Sequence, residues 1–451
     1  MDVCKVFVPC GALGAGIDET HFGQGTALNP DIISLDAGST DSGPYYLGTG
    51  QAKYAKEAIK SDLRLILIAA AKLRIPVTIG SCGTCGTNNM VDWMDALCRE
   101  IFAEEKISLR IARIYSEQTP EAMARAYESG GITPLEAAPA VDAGTFTQCS
   151  HIVALAGIEP FIEALRQGAQ VVLCGRATDT ANIACFPVWK GFDSALAWHG
   201  AKIAECGALC TDIPTDGGVL LTFDTQGLLV SATAAGNTCS VRSVAAHLLY
   251  ENSNPIQLTE PGCVIDTAQT AYEQVGESVR VRGTKLLSTP YTMKLEGSGI
   301  AGYQTFSLVG IRDPQITQNP MPWLATLETY VRNKLAKFGI AKEQYTVELR
   351  PYGWNAVSGG KAPEGYAANE LGLLFIATAK TQTLATKVAK VFNPYLLHFP
   401  TKLSTPLPSY AFPFSPAETE RGAVYQFMLN HVLQLNDPLA AVEISLDQEG
   451  I

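Results

Sequence analysis

Short apolar runs alternate with longer amphipathic stretches through the first half of the chain, and this rhythm limits the fold more than any other feature. PVTIGSC (76–82) and the start of QVVLCGRATDT (170–180) read as strands that are apolar on both faces, whereas residues 90–105 have helical spacing. Strands buried on both faces are typical of a parallel sheet covered by helices. The sequence therefore predicts an α/β domain over residues 1–215, with a mostly parallel sheet flanked by helices.

The pattern changes after about residue 215. GGVLLTFDTQGLLVSA reads as two strands joined by a Thr-Gln-Gly turn, and SVRVRGTKLL and GYQTFSLVGIRDP follow as further strand-like segments. Residues 322–339 have helical spacing. These features predict a second, α+β domain over residues 216–451 that contains antiparallel strands.

Composition and charge narrow the class of protein. The chain has 451 residues, of which 47% are hydrophobic, and a net charge of −11 without any basic run, so we expect no nucleic-acid partner. The longest apolar run, Leu65–Ala71, is far shorter than the roughly 20 residues that a membrane helix needs. No signal-like segment opens the chain, and the twelve cysteines read as buried free thiols. We therefore expect a soluble cytoplasmic protein with no membrane partner.

Several predicted parallel strands end in polar loops. One such loop contains Asp36 and Ser39, another is IGSCGTCGTNN (79–89), and a third is CGRATDT (174–180). Parallel sheets bind ligands at the carboxyl ends of their strands, so we expect the three loops to converge on one edge of the sheet.

The loop IGSCGTCGTNN has several interpretations. Its glycines would let backbone N–H groups approach an anion at the start of a helix, which predicts an anion cradle. A tight turn that binds nothing is the simpler alternative, and a redox dithiol of Cys82 and Cys85 is another. Structural zinc is disfavoured because the chain has no second CxxC. The predicted cradle residues are Gly80, Ser81, Cys82, Gly83 and Thr84, with Asn88 at the start of the helix.

The loop CGRATDT carries a cation that could bind the substrate. Arg176 can hold a carboxylate or phosphate in bidentate fashion, and Asp179 can orient it or act as a base. Thr180 and Ser39 are predicted to complete the binding site. The alternative is a structural Arg–Asp pair that closes the loop.

The segment AWHGAKIAECGA (197–208) predicts acid–base chemistry. His199, Lys202 and Cys206 fall three and four residues apart, which places them on one helical face with Glu205 close by. We expect His199, Lys202 and Glu205 to carry proton transfer, with Asp36 and Asp179 in support. The motifs of serine hydrolases and P-loop NTPases are absent from the sequence.

A further set of segments resembles a known family. The segments that carry the resemblance lie between residues 35 and 416, and the resemblance itself runs from near residue 5 to about residue 435. In chain order the segments are LDAGSTDSGP, IGSCGTCGTNN, GRATDT, AWHGAKIAECGA, EPGCVIDT, KLEGSGIAGY and LPSYAFPFSP. In this the chain resembles the acyclic terpene utilisation AtuA family. The resemblance implies lyase chemistry on a branched carboxylate, free or as a CoA thioester. It also implies a small companion subunit of ferredoxin-like fold, which longer members carry fused at the C-terminus.

The sequence and the resemblance together predict a hydratase or dehydratase of a mesaconate- or citramalate-like acid or its CoA thioester. One alternative is a C–C bond lyase of the 3-hydroxy-3-methylglutaryl-CoA type, and another is a non-catalytic scaffold for the small subunit. We also expect a homo-oligomer. The thiols and carboxylates are compatible with a divalent metal or an iron–sulfur cluster, although the sequence requires neither.

Overall fold

The computed structural model describes residues 2–215, 217–249, 254–360, 365–401 and 410–447. It divides into two compact units, the first formed by Met1–Gly299 with Phe427–Ile451 and the second by Ile300–Gln426. The predicted boundary at residue 215 is therefore wrong. The physical reason is strand pairing, because Val219–Asp224 forms an antiparallel ladder with Cys4–Val8 and so belongs to the first sheet.

The helices are as follows in chain order: α1 (Glu19–Ala27), α2 (Tyr45–Thr49), α3 (Lys56–Leu73), α4 (Asn88–Glu105), α5 (Pro120–Glu128), α6 (Ala143–Thr147), α7 (Glu159–Arg166), α8 (Ala181–Trp189), α9 (Ser194–Ala204), α10 (Val241–Ala246), α11 (Pro314–Thr317), α12 (Pro320–Lys337) and α13 (Gln382–His398).

The strands are as follows in chain order: β1 (Cys4–Val8), β2 (Ile32–Asp36), β3 (Val77–Gly80), β4 (Ile111–Tyr115), β5 (Ile132–Pro134), β6 (Cys149–Ala154), β7 (Val171–Cys174), β8 (Val219–Asp224), β9 (Gly227–Ala232), β10 (Gln257–Glu260), β11 (Cys263–Asp266), β12 (Ala271–Val275), β13 (Ser278–Arg282), β14 (Lys285–Ser288), β15 (Thr292–Ile311), β16 (Tyr345–Tyr352), β17 (Leu371–Ala379), β18 (Tyr410–Ala411), β19 (Glu418–Gln434) and β20 (Glu443–Leu446).

The main sheet of the first unit has a parallel centre. β1, β2, β3, β7 and β4 lie side by side in that order, and every pair among them is parallel. Antiparallel strands extend both edges, with β8, β9, β13 and β12 beyond β1 and with β20 beyond β4. The predicted α/β fold with a mostly parallel sheet is confirmed for the N-terminal half.

Apolar residues cover both faces of this sheet, as the continuous apolar runs predicted. In β2, Ile32 packs into the core that includes α8 and α9, whereas Ile33 packs into the core that includes α3 and α4. Adjacent residues of a strand point to opposite faces, and each fully buried side chain of this size contributes about 1.5–3 kcal/mol. The sheet that carries the strand-end loops is therefore held between two packed apolar cores, one on each face.

The second unit is α+β, as predicted. β16 pairs antiparallel with β17, and β17 pairs antiparallel with Tyr303–Ile311 of β15. Along β17, alternate residues from Leu371 to Ala379 are buried in a core shared with α12 and α13. The antiparallel strands expected after residue 215 are therefore confirmed.

Two expectations from composition can be compared with the structure. All twelve cysteines lie in the described residues and carry free thiols, and ten of them are buried. No helix in the described part of the chain combines the length and the apolar character needed to span a bilayer.

Candidate active site

The three predicted loops meet at the carboxyl edge of the parallel strands. The N–H of Ala37, after β2, donates to the carbonyl of Gly80 at 2.9 Å. The N–H of Ser81, after β3, donates to the carbonyl of Gly175 at 2.9 Å. These backbone hydrogen bonds join the loops that follow β2, β3 and β7, so the predicted convergence is confirmed.

Gly86 allows the second and third loops to touch. Its φ is +65°, and a Cβ atom built on it would lie 2.2 Å from the backbone nitrogen of Arg176. The Arg176 N–H donates to the Gly86 carbonyl at 3.1 Å. Only glycine fits both the left-handed backbone and this close approach. Packing between the two loops therefore accounts for one of the glycines in IGSCGTCGTNN.

A cavity of about 600 Å³ lies beside these loops in the first unit. Four of the described residues in its wall are apolar, namely Leu135, Leu155, Pro261 and Val432. Half of the sixteen lining residues that the structure describes are ionisable, and such a group of titratable side chains in a cleft marks a candidate functional site. The ionisable residues in the wall are Asp41, Asp179, Glu205, Glu260, Glu296, Arg176, Lys202 and Lys294.

Arg176 is held rigidly at the base of the cavity. Its Nε donates to Oε2 of Glu296 at 3.1 Å, and its Nη1 donates to Oδ1 of Asp179 at 3.0 Å and to Oγ of Ser81 at 2.7 Å. Oε1 of Glu296 lies 3.4 Å from Nζ of Lys294. Although burial opposes it, the Arg176 guanidinium lowers the pKa of Glu296 below its ordinary value. The pair therefore stays charged.

Glu260 stands at the end of β10, where a Pro-Gly turn leads into β11. Its Oε1 accepts a hydrogen bond from Oγ1 of Thr180 at 2.8 Å, and the residue is 8% exposed. Burial raises its pKa from 4.5 to about 7, opposed by the charge of Lys202 and reinforced by that of Asp179. A carboxyl group with this pKa can exchange protons near neutrality.

Lys202 and Glu205 form an ion pair on another part of the wall, with 2.7 Å between Nζ and Oε1. Lys202 projects from α9, and Glu205 caps the same helix. Burial raises the pKa of Glu205 above its ordinary value. Burial lowers the pKa of Lys202, but the Glu205 carboxylate outweighs that effect and the net shift is upward.

Five predicted site residues line the cavity, and others support its wall from behind. Ser81 and Thr180 are buried and hydrogen-bond to Arg176 and Glu260. Asp36 is also buried behind the wall, where burial and the nearby charge of Asp179 raise its pKa. The predicted residues in the lining are Ser39, Arg176, Asp179, Lys202 and Glu205.

The predicted anion cradle is corrected by the structure. The N–H groups of Ser81, Cys82 and Thr84 donate to backbone carbonyls, so they are not directed at a ligand. Gly80 and Gly83 lie against Asp36 and Met90. Asn88 lies outside the lining, and its N–H donates to Glu117 at 2.8 Å. Burial raises the pKa of the Cys82 and Cys85 thiols, which does not favour a reactive dithiol.

His199 is corrected in the same way. It is fully buried and does not line the cavity, although Lys202 on the same helix does. Its Nδ1 lies 2.7 Å from Oγ1 of Thr284, and its Nε2 lies 3.1 Å from the Tyr272 hydroxyl. Burial lowers its pKa to about 4, so the ring is neutral near pH 7. These contacts describe a structural histidine.

Sequence reasoning did not identify Glu260, Lys294 or Glu296 as site residues. Their signal was weak but present. Glu260 precedes a Pro-Gly turn, and Lys294 and Glu296 alternate on one face of a strand. No local pattern shows that these strands approach the loops after β2 and β7.

One group of side chains beside the cavity has the composition of a metal site. Ligand atoms of Glu205, Cys206 and His247 lie within 4.8 Å of one another. Glu205 belongs both to this group and to the cavity wall.

The wall can perform acid–base chemistry on an anionic molecule. Its cations, Lys202, Lys294 and Arg176, can attract a carboxylate. Asp179 and Glu260 occupy different environments, one ion-paired with Arg176 and one buried, which is how a pair of carboxyl groups divides the roles of base and acid. The apolar part of the wall can take a hydrocarbon branch.

Comparison with known proteins supplies one family. The family model described as "Acyclic terpene utilisation family protein AtuA" matches residues 46–424, which is most of the chain and includes Arg176, Asp179, Glu260 and Glu296. Neither the curated proteins nor the solved structures include a match. The resemblance stated from the sequence is thereby confirmed.

Proposed function

The chain belongs to the acyclic terpene utilisation AtuA family, and from the chemistry of its cavity we propose that it is a hydro-lyase. The proposed substrate is a small branched hydroxy or unsaturated carboxylate, mesaconate- or citramalate-like, or its CoA thioester. The family name states no reaction, so the proposal depends on the side chains of the cavity.

The observation that carries the proposal is the placement of Asp179 and Glu260 in one cavity. Asp179 is paired with the buried Arg176 guanidinium and suits the role of carboxylate base. Glu260 is buried, and its pKa of about 7 leaves much of it protonated near neutral pH, which suits the role of acid. Dehydration needs one group of each kind.

The carboxyl groups of Asp179 and Glu260 account for both proton transfers of the proposed reaction. Asp179 takes a proton from the carbon next to the substrate carboxylate or thioester carbonyl. Glu260 gives its proton to the hydroxyl on the neighbouring carbon, and the C–O bond breaks as a C=C bond forms and water leaves. Asp179 then carries a proton and Glu260 a negative charge, and proton exchange with solvent restores both. Hydration is the reverse.

Binding is assigned to the cations and the apolar wall. The side chain of Lys294 is 43% exposed, so its ammonium can reach a substrate carboxylate. Lys202 is fixed by Glu205 and can hold the developing negative charge. Leu135, Leu155 and Val432 provide a surface for a methyl branch or a longer chain.

Product analysis tests the reaction type. Purified protein would be incubated with citramalate, mesaconate and 3-hydroxy-3-methylglutaryl-CoA, with products followed by ultraviolet absorbance of the conjugated double bond and by chromatography. Water loss or addition that disappears in Asp179→Asn and Glu260→Gln supports the proposal. Glu128→Gln, a change at an exposed carboxylate, is the matched control. Release of acetate, acetyl-CoA or pyruvate would instead establish the C–C lyase.

The scaffold alternative makes a different prediction. If the chain only supported another protein, Asp179→Asn and Glu260→Gln would leave the flux of branched-acid catabolism in cells unchanged. The proposed hydro-lyase predicts that both variants reduce flux while Glu128→Gln does not. Protein abundance measured by immunoblotting separates loss of chemistry from loss of protein.

A small companion subunit of ferredoxin-like fold, a homo-oligomeric state and a cytoplasmic location are part of the proposal. The support for the companion is the resemblance to the family, which implies such a subunit. Affinity purification of the tagged protein from its own cells, followed by light scattering, tests both associations. Recovery of the chain alone as a monomer would contradict both the companion subunit and the homo-oligomer, and it would not affect the proposed chemistry.

A further inference from the structure

A cluster of three potential ligands lies next to the proposed active site. Glu205 and Cys206 follow α9, and His247 follows α10. One ligand atom from each lies within 4.8 Å of the others. Bound to one tetrahedral ion at metal–ligand distances of about 2.0–2.3 Å, such atoms are about 3.3–3.8 Å apart. Closing onto an ion therefore takes side-chain movements of the order of 1 Å.

Burial favours a ligand at this place. Glu205 and His247 are each 7% exposed, and Cys206 is half-buried. Oε1 of Glu205 is paired with Lys202, whereas Oε2 is buried and makes no hydrogen bond to any residue that the structure describes. A buried carboxylate oxygen without a partner costs free energy, and a bound cation removes that cost.

The chemical types of the three donor atoms indicate which metal ion would bind. A thiolate, an imidazole and a carboxylate are the three side-chain ligands of zinc, and sites with three protein ligands leave a fourth position for water or another molecule. Magnesium and calcium prefer oxygen ligands alone.

We infer that Glu205, Cys206 and His247 form a binding site for one divalent transition-metal ion, with zinc as the best match. Binding releases the Cys206 thiol proton to solvent, so no oxidant or other reactant is needed. Glu205 connects the ion to the cavity, because its other oxygen holds Lys202. The site stands independently of the proposed hydro-lyase activity, since its test measures metal and not turnover.

Metal binding by the full chain tests the site directly. Protein stripped with a chelator would be titrated with Zn²⁺ against a chromophoric competitor, and with Co²⁺ as a spectroscopic probe. We expect one ion per chain, and for Co²⁺ a thiolate-to-metal charge-transfer band with intense visible bands of tetrahedral geometry. Cys206→Ser and His247→Gln should weaken binding by more than about 100-fold, since even outer-shell partners are worth about 10–100-fold.

Cys10→Ser is the matched control, because Cys10 is the other half-buried thiol and lies outside the cluster. It should bind Zn²⁺ like the unmodified protein. The inference is overturned if Cys206→Ser keeps full affinity, or if the Co²⁺ complex of the unmodified protein has no thiolate band. The second measurement needs no variant, so it decides the question even if a substitution prevents folding.

Discussion

Nε of Arg176 donates to Oε2 of Glu296 across 3.1 Å, and both side chains are almost completely buried. The two residues are 120 positions apart in the chain. Their pairing joins the loop after β7 to β15 and fixes the cation at the base of the cavity. The charged wall described above depends on this contact.

Glu296→Gln should destabilise the first unit strongly. The change leaves the Arg176 guanidinium buried without its main counter-charge, and breaking a buried ion pair costs about 3–5 kcal/mol. Urea denaturation would measure this free energy of unfolding. Lys294→Gln is the control, because that ammonium is 43% exposed and its pair should contribute no more than about 1 kcal/mol. Equal effects of the two changes would contradict the assigned role of Glu296.

Glu260→Gln should stabilise the protein in a pH-dependent way. Burial raises the pKa of Glu260 from 4.5 to about 7, in surroundings that include Lys202, Asp179 and Glu205. Between these values the folded state holds a proton that the unfolded state has lost, so stability falls as pH rises. Glutamine does not ionise, so the variant does not lose this stability as pH rises. At one pKa unit per about 1.4 kcal/mol, the gain at pH 8 has an upper limit of about 3 kcal/mol.

Urea titrations of the two proteins at about pH 5 and about pH 8 would check this expectation. The gain should be small at the lower pH and clear at the higher one. A variant that is less stable at both pH values would show that Glu260 is ionised in the folded protein and mainly holds Thr180 in place.

His199→Leu should reduce stability without changing the chemistry. The substitution leaves the buried Thr284 and the half-buried Tyr272 without their shared partner, at a cost of about 2 kcal/mol. Thermal unfolding measures the loss, and steady-state kinetics on the folded protein measure the turnover. A variant that folds normally but has lost turnover would restore His199 to the catalytic group.

Gly86→Ala should disrupt the site by forcing apart the backbones of residue 86 and Arg176. The added methyl would stand 2.2 Å from the Arg176 nitrogen, at a residue whose φ is +65°. We expect a large loss of both stability and turnover. Gly130→Ala is matched for backbone strain, with a φ of +78°, but has open space around it. Its stability loss should be about 1 kcal/mol, with turnover unchanged.

Local sequence patterns predicted the parallel sheet and the meeting of its loops. Strands that are apolar on both faces need helices on both sides, and parallel strands place their carboxyl ends on one edge. Asp179 and Arg176 could be selected because they directly follow such a strand. These inferences need no knowledge of which distant segments pair.

The rest of the site depends on long-range pairing. Glu296 reaches Arg176 because β15 pairs with β6, and no local pattern specifies that register. The assignment of proton transfer to His199 from the sequence failed for a related reason. Helix α9 is buried on most of its surface, so a polar residue on it can face either the cavity or a second contact inside the fold. The sequence shows the side chain but not its partner.

Solvent deuterium exchange at the substrate carbon next to the carboxylate tests whether Asp179 is the base of the proposed reaction. NMR in D₂O measures removal of that proton even when no water is lost. We predict exchange with the unmodified protein, none with Asp179→Asn, and exchange without net dehydration in Glu260→Gln. Undiminished exchange in Asp179→Asn, with its fold intact by circular dichroism, would contradict the assignment of Asp179 as the base.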